Sequence, residues 1–589
     1  MTAGKIKRKV AVSPLAGHLR VAIDAGGTFT DGVVLAANGE TIMSKSHTTP
    51  ADPAIGTMNC LRKLADDAGF SLREFLGRTK TIVHGTTLAT NVVASKTGPK
   101  MGAIITKGFR DRLTFQQVAK DEYKEAQRDI FDFRLDAPQP LTRRHLMTDV
   151  EERTDYSGKI VTPLNEDDVH KAIAYLKIKQ VESIAVLLLF SHENPKHERR
   201  IGEMIRQEWP EVDVTLSSDV VPIMGEVERW STTMFSAYVS PKVRGYIARI
   251  DASLKEEGFK GELVFVTNNG GLATPEIVME NPASLMLSGP AAGPGLGLAL
   301  GERHGTKNIV TIDMGGTSCD IGVVSDGRVD IVPLQIFEAK KFALPSVDVN
   351  AVGAGGGSIA WIDRAGRLQV GPRSAGASPG PACYGSGGQE PTVTDADVVL
   401  GYIDPDYFLG GETKLRKDLA EKAIREKIAD PLNISVTAAA AAIYDIINSN
   451  MASATDVSFA QRGYDPREFT LCAAGGASAV HAVRLMEELG MKRLIIPRIA
   501  PIFCAYGMLF SDLKHDFTRP YFAQTGKADL KRINELFEEM EKAARDILRR
   551  EGARDRDIAI EKSVEMRYYG QFREKMAAAP AGPVTTKSL

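Results

Sequence analysis

Two short runs recur in the two halves of the chain: Ile23-Asp24-Ala25-Gly26-Gly27-Thr28-Phe29-Thr30-Asp31 and Ile312-Asp313-Met314-Gly315-Gly316-Thr317-Ser318-Cys319-Asp320. In each, an apolar run delivers an aspartate to its end, Gly-Gly-Thr turns the chain, and a second apolar run follows. That is the pattern of a β-hairpin with a glycine turn. The residue types set the chemistry. Glycines let backbone N–H groups approach an anion, Thr28 and Thr317 supply hydroxyl donors, and the aspartates can hold Mg²⁺ through water. One copy alone reads as an ordinary hairpin turn. Two near-identical copies, each keeping Asp at both ends, read as a nucleotide clamp.

The elements that must position these turns alternate between strand-like and helical patterns. Apolar runs at 20–23, 81–84, 102–106, 183–190 and 212–216 are interleaved with amphipathic stretches such as 165–177 and 194–209, an α/β signature. A long helical segment at 229–257 leads into the second half, where the alternation restarts at 263–266 and carries the second hairpin at 309–324. Two halves with one signature each imply a duplicated fold, and the expected divisions are a tail at 1–18, domains at 19–225 and 226–515, a C-terminal module at 516–576 and a disordered tail at 577–589. Between 352 and 388 lies a glycine-rich region whose interleaved Ile359, Trp361, Leu368 and Val370 mark it as a packed, ligand-facing loop rather than a linker. At 469–482 a strand turns through Gly475 and Gly476 into a helix. Small residues there admit a purine or ribose against the backbone, and tight strand–helix packing explains them equally well.

Composition narrows the function classes. Lys and Arg total 73 against 75 Asp and Glu, so the net charge of −2 gives no electrostatic footprint for nucleic acid or an anionic membrane. The five cysteines (Cys60, Cys319, Cys383, Cys472, Cys504) are scattered without a Cys-x-x-Cys pair, which argues against a disulfide framework and fits a reducing cytoplasm. The opening residues carry Lys5, Lys7, Arg8 and Lys9 but no apolar core of a secretory signal. No stretch approaches the ~20 apolar residues needed to cross a bilayer.

Further motifs follow in order: His84-Gly85-Thr86-Thr87-Leu88-Ala89-Thr90-Asn91, Ser288-Gly289-Pro290-Ala291-Ala292-Gly293-Pro294, the loop 353–358, the stretch 374–384, Thr392-Val393-Thr394-Asp395-Ala396-Asp397 and Arg462-Gly463-Tyr464-Asp465-Pro466. With the two hairpins they make the sequence resemble the A-type (ATPase) subunit of the hydantoinase/oxoprolinase family, which includes the related acetone and acetophenone carboxylase subunits. The resemblance spans 20–569. It implies an α/β fold of duplicated ribonuclease-H-like domains, of the actin and sugar-kinase superfamily, with a truncated C-terminal α/β extension. It further implies ATP and Mg²⁺, a separate B-type subunit as partner, and phosphorylation of an otherwise inert carbonyl. The substrate is then a cyclic amide or imide such as hydantoin, oxoproline or a lactam. The alternative is an ATP-dependent ketone carboxylase of the acetone or acetophenone type, acting on bicarbonate or a ketone enolate.

On that resemblance Gly26, Gly27, Thr28, Thr30, Gly315, Gly316 and Thr317 hold phosphates, and Gly475, Gly476 and Ala477 lie beside the nucleoside. Asp24 and Asp313 hold Mg²⁺ and its waters, and Asp313 or Asp320 orients the nucleophile. His84 either contacts substrate or an oxyanion, or is a hydrogen-bonded structural histidine. Asp395 and Asp397 either face the cleft or cap a helix. Arg229 and Arg462 either neutralise bound charge or form internal ion pairs. A non-catalytic regulator of the same fold would be expected to lose its acids, yet Asp24, Asp31, Asp313 and Asp320 are all present. Hydantoinase-like members commonly carry histidine where Asn350 stands. The stretch 401–411 looks like the ketone carboxylases, whereas His84-Gly85-Thr86-Thr87 looks like the hydrolases. Members usually continue into a β-rich C-terminal module, so a small partner subunit supplying it is expected if it is not absent altogether.

Overall fold

Both repeats form the hairpins their pattern predicts, Leu19–Ala25 with Phe29–Ala36 and Ile309–Met314 with Cys319–Ser325. The computed structural model describes residues 17–27, 29–49, 52–115, 140–411, 413–571 and 574–588; Thr28 and 1–16 lie outside them. Around each hairpin a sheet is built in one strand order. In the first, Thr41–His47 flanks the hairpin on one side, and Thr79–Thr86, Glu262–Val266 and Leu272–Ala273 extend it on the other. In the second, Val349–Val352 flanks Cys319–Ser325, and Thr470–Ala474 and Arg493–Ile495 run parallel beyond Ile309–Met314. The repeat of topology, antiparallel on the hairpin side and parallel on the other apart from the antiparallel edge strand Leu272–Ala273, is the duplicated α/β architecture anticipated above.

The central strands are apolar on both faces because both faces are covered. Leu19, Val21 and Ile23 pack with the helices Pro53–Asp67 and Glu226–Glu256, contributing Leu61, Trp230 and Phe235 to the largest core. Ala22 on the opposite face joins Val83, Ala292, Ala505 and Met508. In the second half Ile309, Val324 and Cys472 pack with Leu296 and Phe503, while Val310, Ile312 and Ile321 pack with Ile443 and Met451 of the helix Val436–Arg462. The helices Ser288–His304 and Phe503–Met508 therefore contribute to both inner cores and join the two sheets.

Two expected boundaries shift. The division placed at 225/226 cuts through the first lobe: the strands Glu262–Val266 and Leu272–Ala273 belong to the first sheet, and the helix starting at Glu226 packs on its outer face. The first half also holds a separate four-stranded parallel sheet of Asp213–Leu216, Ser183–Leu187, Met101–Thr106 and Met147–Val150. Its strand at 183 stops at Leu187, short of the apolar run's end. The next residue, Leu188, gives its N–H to Glu198 (2.9 Å) and its carbonyl to the Arg229 guanidinium (3.0 Å), which removes it from the ladder. The second shift is at 577–589, expected without structure. Lys575–Ala578 pairs with Ser563–Met566. Val584 is buried against Ile533 and Phe537, with its N–H and C=O both bonded to Asn534 (2.8 and 3.1 Å). Among the described residues no helix is long and apolar enough to cross a membrane.

Candidate active site

Antiparallel register makes Asp24 and Asp31 direct partners in the first hairpin and Asp313 and Asp320 direct partners in the second. Opposite residues in a ladder share a face, so each hairpin offers two adjacent carboxylates. Each row continues. Asp24 lies beside Gly85 and Asp31 beside Lys45; Asp313 lies beside Ala474 and Asp320 beside Ala351. Both rows are on the faces turned towards the joining helices. A Cβ on Gly289 would lie 4.0 Å from Asp24 Oδ1, and one on Gly293 would lie 3.5 Å from Cys504 Sγ, which donates to Asp313 Oδ2 at 3.1 Å. Gly289 and Gly293 are one turn apart on one helix face, so the two aspartates flank a rise of ~6 Å. The two hairpins thus share one cleft.

Glycine stands close beside Asp24 and beside Asp313. A Cβ on Gly85 would meet Met508 Cε at 2.2 Å and Asp24 Oδ1 at 3.2 Å. Gly475 has φ +83°, and its Cβ would lie 2.3 Å from Asp313 Oδ1.

The turns themselves are closed by Gly26 N–H to Phe29 O and Gly315 N–H to Ser318 O, both 3.0 Å. Gly27, Gly316 and Thr317 are exposed at their tips. Thr30 is buried beneath the turn. Its hydroxyl meets that of Thr48 (3.1 Å), which donates to Gly26 O (2.8 Å), so Thr30 buttresses the turn instead of projecting from it. The glycine-rich loop is stitched onto the second turn: Gly356 N–H donates to Gly315 O (3.0 Å) and Gly357 N–H to Gly316 O (2.7 Å). The Gly475–Ala477 segment joins the same turn through Ala477 N–H to Met314 O (3.0 Å) and Met314 N–H to Ser478 Oγ (2.8 Å). Gly475, Gly476 and Ala477 are thereby gathered beside Asp313.

Burial dominates the electrostatics. It pushes the Asp24 carboxyl up to about 8, with the charges of Asp31 and Asp313 adding to the rise and Lys45 opposing it. Asp320 is raised to about 7 by burial and by Asp313. Asp313 is raised to about 6 by burial, against the stabilising bond from the Cys504 thiol. Asp31 is raised by burial and restrained by Lys45, whose Nζ lies 2.6 Å from Asp31 Oδ1. Carboxylates crowded out of water call for a compensating cation. Asp24 Oδ1 is buried without a hydrogen-bond partner. No group of three or more His, Cys, Asp or Glu side chains converges on a metal position among the described residues. A Mg²⁺ held by one or two carboxylates and mostly by water fits this donor set.

His84 is placed in the core. It is 1% exposed, with Nδ1 3.2 Å from Ile23 O, Nε2 2.6 Å from the Tyr246 hydroxyl and Phe265 edge-on at 5.4 Å. Burial depresses its pKa to about 4, so it is a neutral spacer between strand and helix and does not face the cleft. Asp395 caps its helix, accepting from Thr392, Ala382 and Cys383. Asp397 is buried 3.6 Å from His481. Arg229 is spent on Leu188 O, Ile223 O and Ser217, and Arg462 on Asp348 and Ser458 O. Asn350 pairs with Ile321 and so lies on the sheet face opposite Asp320, where it donates to Ser458 (2.8 Å). Lys45 and Cys504 escaped the sequence reading. Lys45 is brought in by the register of a third strand. Cys504 is carried by a helix far along the chain, where no motif marked it.

Two sheets of one topology, each presenting an aspartate-bearing glycine hairpin to a shared cleft, define the duplicated, actin-like nucleotide-binding class. Within it, the chain belongs to the hydantoinase/oxoprolinase family. The Hydantoinase/oxoprolinase model matches 229–517 and the Hydantoinase/oxoprolinase N-terminal region 20–209. The caprolactamase subunit alpha of Pseudomonas jessenii is 39% identical over 94% of this chain and 80% of its own length. The acetophenone carboxylase gamma subunit of Aromatoleum aromaticum is 39% identical over 95% of this chain and 78% of its own. The solved ATP-dependent caprolactamase from Pseudomonas jessenii matches with a TM-score of 0.84 at 38% identity, over 96% of this chain and 82% of that one. Acetone carboxylase in its nucleotide-free structure gives 0.81 at 30% identity, over 97% and 82%.

Proposed function

We propose that this chain is the ATP-hydrolysing subunit of a heteromeric enzyme that phosphorylates the carbonyl oxygen of a cyclic amide or imide, such as a hydantoin, oxoproline or a lactam, so that the ring can be hydrolysed. The observation that carries the reading is the pairing of Asp24–Asp31 and Asp313–Asp320 across one cleft, each pair beneath an exposed glycine turn. An amide is resonance-stabilised. Transfer of a phosphoryl group to its oxygen makes the carbon a better electrophile, and the protein's task is positioning and charge neutralisation. The backbone of Gly26, Gly27, Gly315 and Gly316, with Thr28 and Thr317, cradles the phosphates. Gly475, Gly476 and Ala477 lie against the nucleoside. Asp24 and Asp313 would hold Mg²⁺ through water, and the ion would supply positive charge to offset that of the phosphates. Asp320, titrating near neutrality, accepts a proton or orients the attacking group, with Asp313 the other candidate.

The ring-opening step needs a partner, and a B-type subunit fits that role. Relatives of both kinds are themselves subunits. The free cysteines, all five buried or half-buried, suit a reducing cytoplasm. A second reading, a ketone carboxylase subunit phosphorylating bicarbonate or a ketone enolate, is favoured by one observation: the acetophenone carboxylase gamma subunit matches this chain at the same 39% identity as the caprolactamase subunit.

The test is phosphate release by the chain with its native partners, given a hydantoin, a lactam, or a ketone with bicarbonate. Stimulation by a cyclic amide alone supports the first reading, and stimulation by ketone plus bicarbonate alone replaces it with the second. Stimulated hydrolysis that survives Asp313→Asn would remove the second hairpin from the mechanism.

A further inference from the structure

The charge in the cleft is not symmetric. In the first lobe the shared-face row reads Gly85, Asp24, Asp31, Lys45 across four adjacent strands. In the second it reads Ala474, Asp313, Asp320, Ala351. Where duplication would place a second cation, there is a methyl group. Among the described residues, Lys45 is the one cation whose charge acts on Asp24 and also on Asp313 of the opposite hairpin. Its side chain is about a quarter exposed, and its ammonium is held by Asp31 at 2.6 Å and lies 5.0 Å from the centre of the Phe29 ring. Phe29 is the residue whose carbonyl closes the Gly26 turn. The lysine is therefore anchored at the edge of the phosphate-gripping turn, part-exposed and on the same sheet face as Asp24 and Asp31.

A cation so placed has more to do than balance Asp31. A nucleoside triphosphate arriving above four aspartates brings further negative charge into a space already poor in water. A lysine ammonium on a flexible stem is suited to follow phosphate oxygens as charge moves during transfer. We propose that Lys45 is a catalytic residue for phosphoryl transfer: its ammonium, presented by Asp31, contacts the terminal phosphate over the first hairpin and neutralises the charge carried to the acceptor oxygen. In that step the bond between the terminal phosphorus and its bridging oxygen breaks, a bond from phosphorus to the acceptor oxygen forms, and ADP leaves with the bonding electrons. Lys45 exchanges no proton. The inference rests on the reading of the cleft as an ATP site and adds to it the residue that distinguishes triphosphate from diphosphate.

The experiment compares wild type, Lys45→Met, Lys45→Arg and the double variant Lys45→Met/Asp31→Asn, each assembled with the native partner subunits. Calorimetry measures binding of ADP and of a non-hydrolysable ATP analogue, and phosphate release measures turnover. Lys45→Met is expected to lower turnover ~100-fold, the scale of losing one charge-stabilising donor. It should weaken the ATP analogue much more than ADP, and Lys45→Arg should recover part of both. The double variant removes the unpaired carboxylate as well as the ammonium, and is expected to stay as slow as Lys45→Met. Recovery of turnover in the double variant would show that Lys45 only neutralises Asp31 and would overturn the proposal, as would wild-type turnover in Lys45→Met. If Lys45→Met fails to fold, Lys45→Gln is read by the same measures. Wild-type protein that binds neither nucleotide would instead overturn the ATP reading itself, leaving Lys45 as an ion-pair partner.

Discussion

The thiol of Cys504 donates a hydrogen bond to Asp313 Oδ2 at 3.1 Å, across 191 residues of chain. Burial and the neighbouring Asp313 and Asp24 charges keep the thiol protonated, so it acts as a fixed donor that orients the carboxylate. Cys504→Ala is expected to slow phosphate release roughly tenfold, since ~1.4 kcal/mol of lost orientation is one factor of ten in rate. Cys504→Ser, which keeps a donor, should stay within a few-fold of wild type. Equal rates for the alanine and serine variants would dismiss the bond as a mechanistic contact.

Asp24 couples stability to function with opposite signs. Its carboxyl titrates near 8 in the folded chain against an ordinary 3.8, chiefly through burial. Between those values the folded chain retains a proton that the unfolded chain has released, so in nucleotide-free protein rising pH favours unfolding. Asp24→Asn removes this penalty. Its melting temperature should exceed that of wild type by several degrees at pH 8, the gap should close towards pH 4, and phosphate release should be lost. Scanning calorimetry across pH checks this, and a gap that widened towards acid would contradict it.

His84 is expected to matter for folding and not for substrate. His84→Ala leaves a cavity and takes from the Tyr246 hydroxyl its short bond to Nε2 (2.6 Å), leaving it the longer one to Thr57 (3.4 Å), a cost of ~2–4 kcal/mol. Nucleotide affinity of the folded fraction should be unchanged. With its pKa lowered to about 4 by burial, the histidine's contribution is present above its ordinary 6.5 and is lost as pH falls through the folded value. A selective rise in substrate KM with unaltered melting would return His84 to the cleft.

Gly475 and Gly476 offer an internal contrast. At Gly475 a methyl group would strike Asp313 Oδ1 at 2.3 Å in a backbone with φ +83°, whereas at Gly476 it would meet nothing within 4 Å. Gly475→Ala should destabilise by ~1–3 kcal/mol and abolish turnover. Gly476→Ala should leave the melting temperature in place and reveal any effect on nucleotide affinity by itself. Equal melting temperatures for the two variants would show that the tight approach of Gly475 to Asp313 is not needed.

What could be read from the chain was local. Asp-x-Gly-Gly-Thr encodes its own turn, so both hairpins follow from residue types, whereas the sequence leaves Asp395 between the cleft and a helix cap, and the fold makes it the cap. His84 stays open between two roles because a histidine before Gly-Thr-Thr looks the same whether its strand turns it to the cleft or to Tyr246. Residues 577–589 misled: their composition suggests disorder, yet the strand Lys575–Ala578 and the buried Val584 are held by partners at 563–566 and Asn534.

The sequence by itself determined that two glycine-turned hairpins exist, that each carries a pair of aspartates, and that an α/β scaffold of the hydantoinase/oxoprolinase family presents them. Tertiary structure decided which other groups stand beside them. Lys45 reaches Asp31 through the register of a third strand. Cys504 reaches Asp313 because two helices join the lobes, and Gly475 is glycine because Asp313 leaves no room for a side chain. Side-chain periodicity fixes what a segment offers to its own neighbours. Contacts between distant segments depend on strand register and helix packing, which are settled only when the two sheets close on the helices between them.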